Sequence, residues 1–220
     1  MFMHQHTPES QNLKPGEVST GTTIMAVPTP TGVILGADSR VSTGTYIANR
    51  TSDKIAQLSE HIFCCRSGSA ADTQALTDYV RFYLAQHLID SGRLPLVKTA
   101  AHLMRKICYE NKSHLSAGVI VAGWDPVNGG SVYNIPMGGT CLKMEEFAIG
   151  GSGSTYIYGL CDNVYKKGMS HDESLTFVQR AISHAMARDG SSGGIIRTVE
   201  VTAEGIKRGY IEGDKLPYGP

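Results

Sequence analysis

Thr22 stands where a polar stretch, residues 1–21, runs straight into the apolar segment TTIMAV. If the bond after Gly21 is cut, Thr22 carries a hydroxyl and an α-amine on one residue, which pairs nucleophile and base without a histidine. An α-amine titrates at about 7.7–8.0 in peptides, so a substantial neutral fraction exists near neutrality. On this junction alone, Thr22 reads better as an ordinary β-branched residue opening a strand. Three charges sit at the ends of apolar segments: Asp38 closes GVILGAD, Lys54 opens KIAQL and Arg66 follows HIFCC. A charge in such a place must be solvated or paired. The three converge if the hairpin 24–38 and the strands 54–66 are neighbours in one sheet, an arrangement that short connections favour.

Two glycine-rich runs offer rival chemistry. GGSGS at 150–154 precedes a helical stretch and could cradle a phosphate on a helix N-terminus. It lacks the G-K-[ST] ending of a P-loop and the third glycine of a dinucleotide fingerprint, so a tight turn is the better reading. GSSGG at 190–194 formally matches the G-x-S-x-G nucleophile elbow. That elbow needs a strand before it, a helix after it, and Asp and His later in the chain. Here a helix precedes, a strand follows, and the last histidine, His184, lies upstream. His4 and His6 form an H-x-H pair in the polar stretch and read as solvated tail. The five cysteines, at 64, 65, 108, 141 and 161, form no C-x-x-C pair and have no histidines at zinc spacing. They read as free thiols in a reducing compartment, and no metal site is expected.

The elements that must position these residues follow from the pattern. The chain has 220 residues, enough for one domain, with 41% hydrophobic residues for its core. Lys plus Arg and Asp plus Glu both number 20, so no excess of charge draws it to nucleic acid or an anionic membrane. Charged residues make up only 18%, which fits a surface partly buried against other chains or a merely Gly/Ser/Thr-rich domain. No stretch reaches the roughly 18 apolar residues of a membrane span, and the N-terminus lacks a signal-peptide core, so an intracellular protein is expected.

A hairpin, TTIMAV and GVILGAD, is followed by short strands at 54–58 and 61–66. Ser69 with Asp72 makes a capping-box pattern that opens a helix ended by Gly92, with Leu76, Tyr79, Val80, Tyr83, Leu84 and Leu88 at helical spacing. A second helix runs from Leu96 to about Asn111. A three-strand meander, AGVIVAGW, SVYNIPM and CLKMEEFAI, comes next. STYIYGLCDNVYKK reads as a helix stopped by Gly168, and Ser170 with Glu173 caps another. GIIRTVEV and GIKRGYI close the chain as strands. Grouped strands and helices indicate an α+β fold, with helix pairs on opposite faces of two stacked antiparallel sheets.

These segments resemble a known family. TTIMAV, GADSR, YIANR, SDKI, FCCRSGSAADTQ, AGWDP, PMGG, FAIGGSGSTYIYG and RDGSSGG are similar to the catalytic β-subunits of the 20S proteasome, from residue 22 to about 215. TTIMAV and CCRSGSAADTQ resemble the caspase-like (beta-1) type. The resemblance implies a four-layer αββα fold of the N-terminal nucleophile hydrolases. It implies that residues 1–21 are a propeptide removed by autolysis between Gly21 and Thr22, and that 22–220 form one domain. It makes Thr22 the nucleophile, and Asp38 and Lys54 its charge partners. Gly68 becomes the oxyanion donor, with Ser152, Asp189 and Ser192 holding the amine and a water. Arg66, with Thr43, Ser52 and Ala70 as further pocket candidates, is implied to select acidic residues before the cut. The family's interferon-induced counterpart carries an apolar residue at the place of Arg66. The implied partners are the other α and β subunits, in two seven-membered β rings between α rings, and unfolded polypeptides. The implied setting is ubiquitin-dependent degradation in cytoplasm and nucleus, without cofactor, nucleic acid or membrane.

Overall fold

The computed structural model describes residues 21–219. The expected propeptide up to residue 20, with His4 and His6, lies outside the described residues. β1 (Ile24–Thr29) and β2 (Gly32–Ala37) form the first hairpin. A small hairpin of β3 (Val41–Thr43) and β4 (Tyr46–Asn49) follows, turning at Gly44 with φ +62°. β5 (Ile55–Ser59) and β6 (Ile62–Gly68) lead into α1 (Ala70–Ser91) and α2 (Val97–Glu110). β7 (Ala117–Asp125), β8 (Gly129–Ile135), β9 (Leu142–Met144) and β10 (Ala148–Gly150) come next. A 3-10 turn at Ser152–Tyr156 then precedes α3 (Tyr158–Val164), α4 (His171–Arg188), β11 (Ile196–Thr202) and β12 (Gly205–Ile211).

The strands make two five-stranded antiparallel sheets, ordered β10-β1-β2-β11-β12 and β5-β6-β7-β8-β9. Period-two alternation sorts their side chains into three apolar layers. Val33, Leu35, Phe63, Cys65, Ile120 and Val199 fill the space between the sheets. Cys64, Val119 and Val121 point the other way, onto Leu76, Val80, Leu84 and Met104 of α1 and α2. Met25 and Ile34 face Phe177, Val178 and Ile182 of α4. The result is the expected four-layer αββα sandwich.

Several details depart from the pattern. The hairpin 24–38 and the strands 54–66 lie in opposite sheets, stacked face to face, and not side by side. CLKMEEFAI is not one strand. The exposed Glu145 and Glu146 cannot sit in a buried ladder, so the chain leaves the second sheet after Met144 and joins β1 of the first at Ala148. The predicted helix after GGSGS divides at Ile157 and ends at Val164, before the lysine pair. In α1, Tyr79, Tyr83 and Leu88 are exposed, while Thr73 and Thr77 are buried. Those threonines satisfy their hydroxyls on backbone carbonyls four residues earlier, at 2.8 and 2.7 Å. The Ser170–Glu173 capping box is complete. The Ser69 box is half made, because the Asp72 carboxylate accepts from the Ser116 N–H at 3.0 Å. Among the described residues no helix is long and apolar enough to cross a membrane.

Candidate active site

The opening of β1 brings Thr22 and Thr23 against the end of β2. The Asp38 N–H donates to the Thr23 carbonyl at 3.0 Å, and the Thr23 N–H donates to Asp38 Oδ1 at 2.8 Å. Lys54 enters from the opposite sheet, just ahead of β5. Its Nζ donates to Asp38 Oδ1 at 2.7 Å and to the Gly21 carbonyl oxygen at 2.9 Å. The lysine therefore touches the carbonyl of the peptide bond that precedes Thr22.

Asp38 is fully buried, yet four donors converge on it. Thr23 N–H and Lys54 Nζ serve Oδ1; Gly193 N–H and Arg40 N–H serve Oδ2, at 3.0 and 3.2 Å. Burial pushes its carboxyl above the usual carboxylate value, against the pull of Lys54. Three of the four donors are backbone N–H groups that can only donate, and the fourth is the Lys54 ammonium, so the geometry favours the ionised carboxylate. Burial likewise holds Lys54 below the ordinary lysine value, with Asp38 and Asp189 opposing and Arg40 assisting. An ammonium so placed is a proton donor readier than a surface lysine.

The two glycine-rich runs meet at the same point. Ser152 opens the 3-10 turn and accepts the Thr22 N–H at 3.1 Å. Its own hydroxyl donates to Asp189 Oδ2 at 2.7 Å, and Ser192 donates to the same oxygen at 2.6 Å. Asp189 sits at the C-cap of α4. The loop after it is held by Arg40, whose Nη1 donates to the Gly190 carbonyl at 2.9 Å. Gly68 ends β6 with φ +103°, where a Cβ would come within 2.3 Å of the Ser116 carbonyl oxygen. Only glycine fits there. Gly21 is also crowded, since a Cβ would lie 1.8 Å from Ser191 Cβ.

A cavity of about 650 Å³ opens on Thr22, lined by Gly68, Ser116, Gly118, Met137, Ser152 and Tyr158 among others. Arg66, Thr43, Ser52 and Ala70 are not in its lining. Arg66 is half-buried on β6, two residues from Gly68, with its Nη2 on the Asp53 carbonyl at 3.1 Å. Thr43 and Ala70 are exposed, and Ser52 is half-buried with its N–H on the Ser39 carbonyl. The structure thus gathers Gly21, Thr22, Asp38, Lys54, Gly68, Ser152, Asp189 and Ser192, and sets the four pocket candidates outside that cavity. Thr23 and Arg40 escaped the sequence reading. Adjacency to Thr22 and to Asp38 was the available signal, and each looked like an ordinary strand or strand-end residue. Among the described residues no group of three or more His, Cys, Asp or Glu side chains could hold a metal ion.

Comparison with known proteins bears on what this constellation serves. Residues 18–201 match the family described as "Proteasome subunit". The chain is 57% identical over 200 residues to "Proteasome subunit beta type-6" of Dictyostelium discoideum, covering 91% of this chain and 93% of the relative. It is 53% identical over 196 residues to "Proteasome subunit beta type-1" of Saccharomyces cerevisiae, covering 89% and 90%. It is 48% identical over 210 residues to "Proteasome subunit beta type-9" of Rattus norvegicus, covering 96% and 95%.

Proposed function

The chain belongs to the proteasome subunit family as a β subunit, a threonine peptidase of the 20S core that assembles with other proteasome subunits, and from that premise we propose how its residues cut and what they cut after. The observation that carries the mechanism is the double contact of Lys54 Nζ, on Asp38 Oδ1 and on the Gly21 carbonyl oxygen. In the first event Thr22 Oγ attacks the Gly21 carbonyl carbon. The hydroxyl proton passes to the Thr22 nitrogen as the Gly21–Thr22 C–N bond gives way to an ester, and water then hydrolyses that ester, restoring the hydroxyl and releasing residues 1–21. The Lys54 ammonium polarises the carbonyl under attack, as an oxyanion donor does. Thr22 is left with an α-amine that Ser152 already engages.

Cleavage of a polypeptide repeats the attack with that amine as base. Thr22 Oγ gives its proton to the amine and bonds to the substrate carbonyl carbon. The Gly68 N–H stabilises the oxyanion, and Lys54 favours the deprotonated Thr22 oxygen. The proton passes to the departing amine as the C–N bond breaks. Water, deprotonated by the Thr22 amine, hydrolyses the ester. Ser152, Asp189 and Ser192 orient the amine and this water. No metal or organic cofactor takes part.

Substrates are unfolded polypeptides delivered by ATP- and ubiquitin-dependent targeting, in cytoplasm and nucleus, with the chain in two seven-membered β rings between α rings. Cleavage follows acidic residues, a caspase-like specificity. Arg66 supports this, since it shares the strand and face of Gly68, and a guanidinium forms charge-assisted bonds to carboxylates. Such a bond contributes about 1.5–3 kcal/mol, roughly tenfold to a hundredfold in kcat/KM. Thr43, Ser52 and Ala70 complete the pocket in this reading. The test is a pair of fluorogenic peptides ending in Glu and in Leu, assayed on wild type and Arg66→Leu. The variant should lose the Glu preference and gain cleavage after Leu. An unchanged Glu-to-Leu ratio removes Arg66 and the caspase-like assignment together.

A further inference from the structure

We propose that Thr23 is a positioning residue of the peptidase reaction: its hydroxyl, donated to Ser192, helps fix the direction of every hydroxyl proton between itself and the Thr22 amine. The inference rests on the reading above that this amine is the base. Thr23 is fully buried, and its Oγ1 lies 2.7 Å from Ser192 Oγ, an oxygen pair in which either could donate. The neighbours decide which does. An ionised carboxylate only accepts, and Asp189 Oδ2 receives both Ser192 Oγ at 2.6 Å and Ser152 Oγ at 2.7 Å. Each serine has one hydroxyl proton, and each spends it on Asp189. Ser192 can then only accept from Thr23, and Ser152 can only accept from the nitrogen of Thr22, 3.1 Å away. Ser152 also lies 3.4 Å from the Thr22 carbonyl oxygen, but the shorter bond to a charged acceptor wins its proton.

The chain of donors is therefore polar and runs inward from both ends to Asp189. Its consequence is catalytic. The amine points an N–H at Ser152, which turns its lone pair toward the Thr22 hydroxyl proton it must take. Were Ser192 to turn its proton outward, Asp189 would lose a donor, and Ser152 would be left as the sole hydroxyl holding the carboxylate in line.

A second, independent feature shows that the outer contact is built into the fold. Gly153 packs over it so closely that a Cβ there would lie 1.9 Å from Thr23 Oγ1 and 3.0 Å from Ser192 Oγ. Glycine is needed for that approach, because any side chain would occupy the space of the Thr23 hydroxyl. The enclosure also leaves no room for a water to replace the lost donor. Ser192 Oγ would remain buried with one hydrogen bond fewer and a rotor no longer pinned.

The experiment compares assembled particles carrying the wild-type chain, Thr23→Val and Thr23→Ser. Valine keeps the shape and β-branching of threonine and removes the donor; serine keeps the donor. Loss of one neutral hydrogen bond that acts through geometry predicts a kcat for Thr23→Val about three- to tenfold lower, with KM within about twofold, because no contact to substrate changes. Thr23→Ser should return kcat to within about twofold of wild type. An unchanged kcat in Thr23→Val overturns the proposal, as does a serine variant as impaired as the valine one, since the methyl would then be what matters. Should the valine chain fail to assemble, Thr23→Ala takes its place, and failure of both overturns the proposal in favour of a structural role. Thr22→Ala in the same assay reports separately on the underlying reading: retained cleavage there sinks the amine-base mechanism, whereas the Thr23 series bears only on how the base is oriented.

Discussion

Replacing Lys54 by alanine perturbs two contacts at once, and their magnitudes predict what is seen. The ammonium is buried, and its loss leaves the Asp38 carboxylate with three backbone N–H donors and no cation. Removing one partner of a buried pair costs about 3–5 kcal/mol. Protonating Asp38 relieves part of this. The second loss is at the Gly21 carbonyl, 2.9 Å from Nζ. A single donor aimed at a reacting carbonyl oxygen contributes about 2.7–4 kcal/mol, or roughly 10²–10³ in rate. Release of residues 1–21 should therefore slow at least about a hundredfold. Lys54→Arg should not rescue it, since a planar fork cannot replace a compact ammonium in an enclosed site. The assay is pulse-labelled conversion of the precursor, followed by mass, in particles whose other subunits cannot cut it. Incorporation into the particle controls for folding. Conversion of Lys54→Ala within tenfold of the wild-type rate would refute the polarising role.

The remaining predictions concern the same junction. Thr22→Ala should abolish both propeptide release and peptide cleavage, since one hydroxyl serves both; intact mass and a fluorogenic peptide check the two losses together. Gly21→Ala should strongly impair release while sparing a chain produced already beginning at Thr22, because the added methyl would meet Ser191 at 1.8 Å; precursor mass in the assembled particle reads this directly. The rate should also fall on the alkaline side earlier than an ordinary lysine of 10.5 would allow. Lys54 is held below that value, and above its own the neutral amine no longer stabilises the Thr22 oxygen. A pH profile of kcat/KM shows whether the alkaline limb lies below 10.5.

Much of this architecture was legible in the sequence, for identifiable reasons. Strand alternation and helix spacing report which face of each element is apolar, so the grouped strands and helices led to two sheets with outer helices. Alternation says nothing about which sheet a strand joins. Asp38 and Lys54 were thus matched through an imagined shared sheet, whereas they meet across the sandwich interior. The single apolar run at 141–149 hid a crossing between sheets for the same reason. The run at 150–154 read as a tight turn, and a 3-10 turn opens at Ser152; the run at 190–194 matched an elbow only formally. That they bring Ser152 and Ser192 to one oxygen of Asp189 depends on tertiary packing about 40 residues apart in sequence, which no local pattern encodes. Thr23 was invisible because a buried threonine opening a strand looks like packing until its hydroxyl has a partner. Thr73 and Thr77 misled in the same way, since side-chain bonds to the helix backbone let them replace Tyr79 and Tyr83 in the core.

The most direct measurement is the N-terminal residue of the chain in assembled, active particles. Thr22 should be found there with an unblocked α-amine, on a chain of 199 residues from the 220 encoded, 21 having been removed. Finding Gly21 still attached in particles that cleave peptides through this subunit would contradict it, because an amide nitrogen at Thr22 cannot take the proton of the attacking hydroxyl.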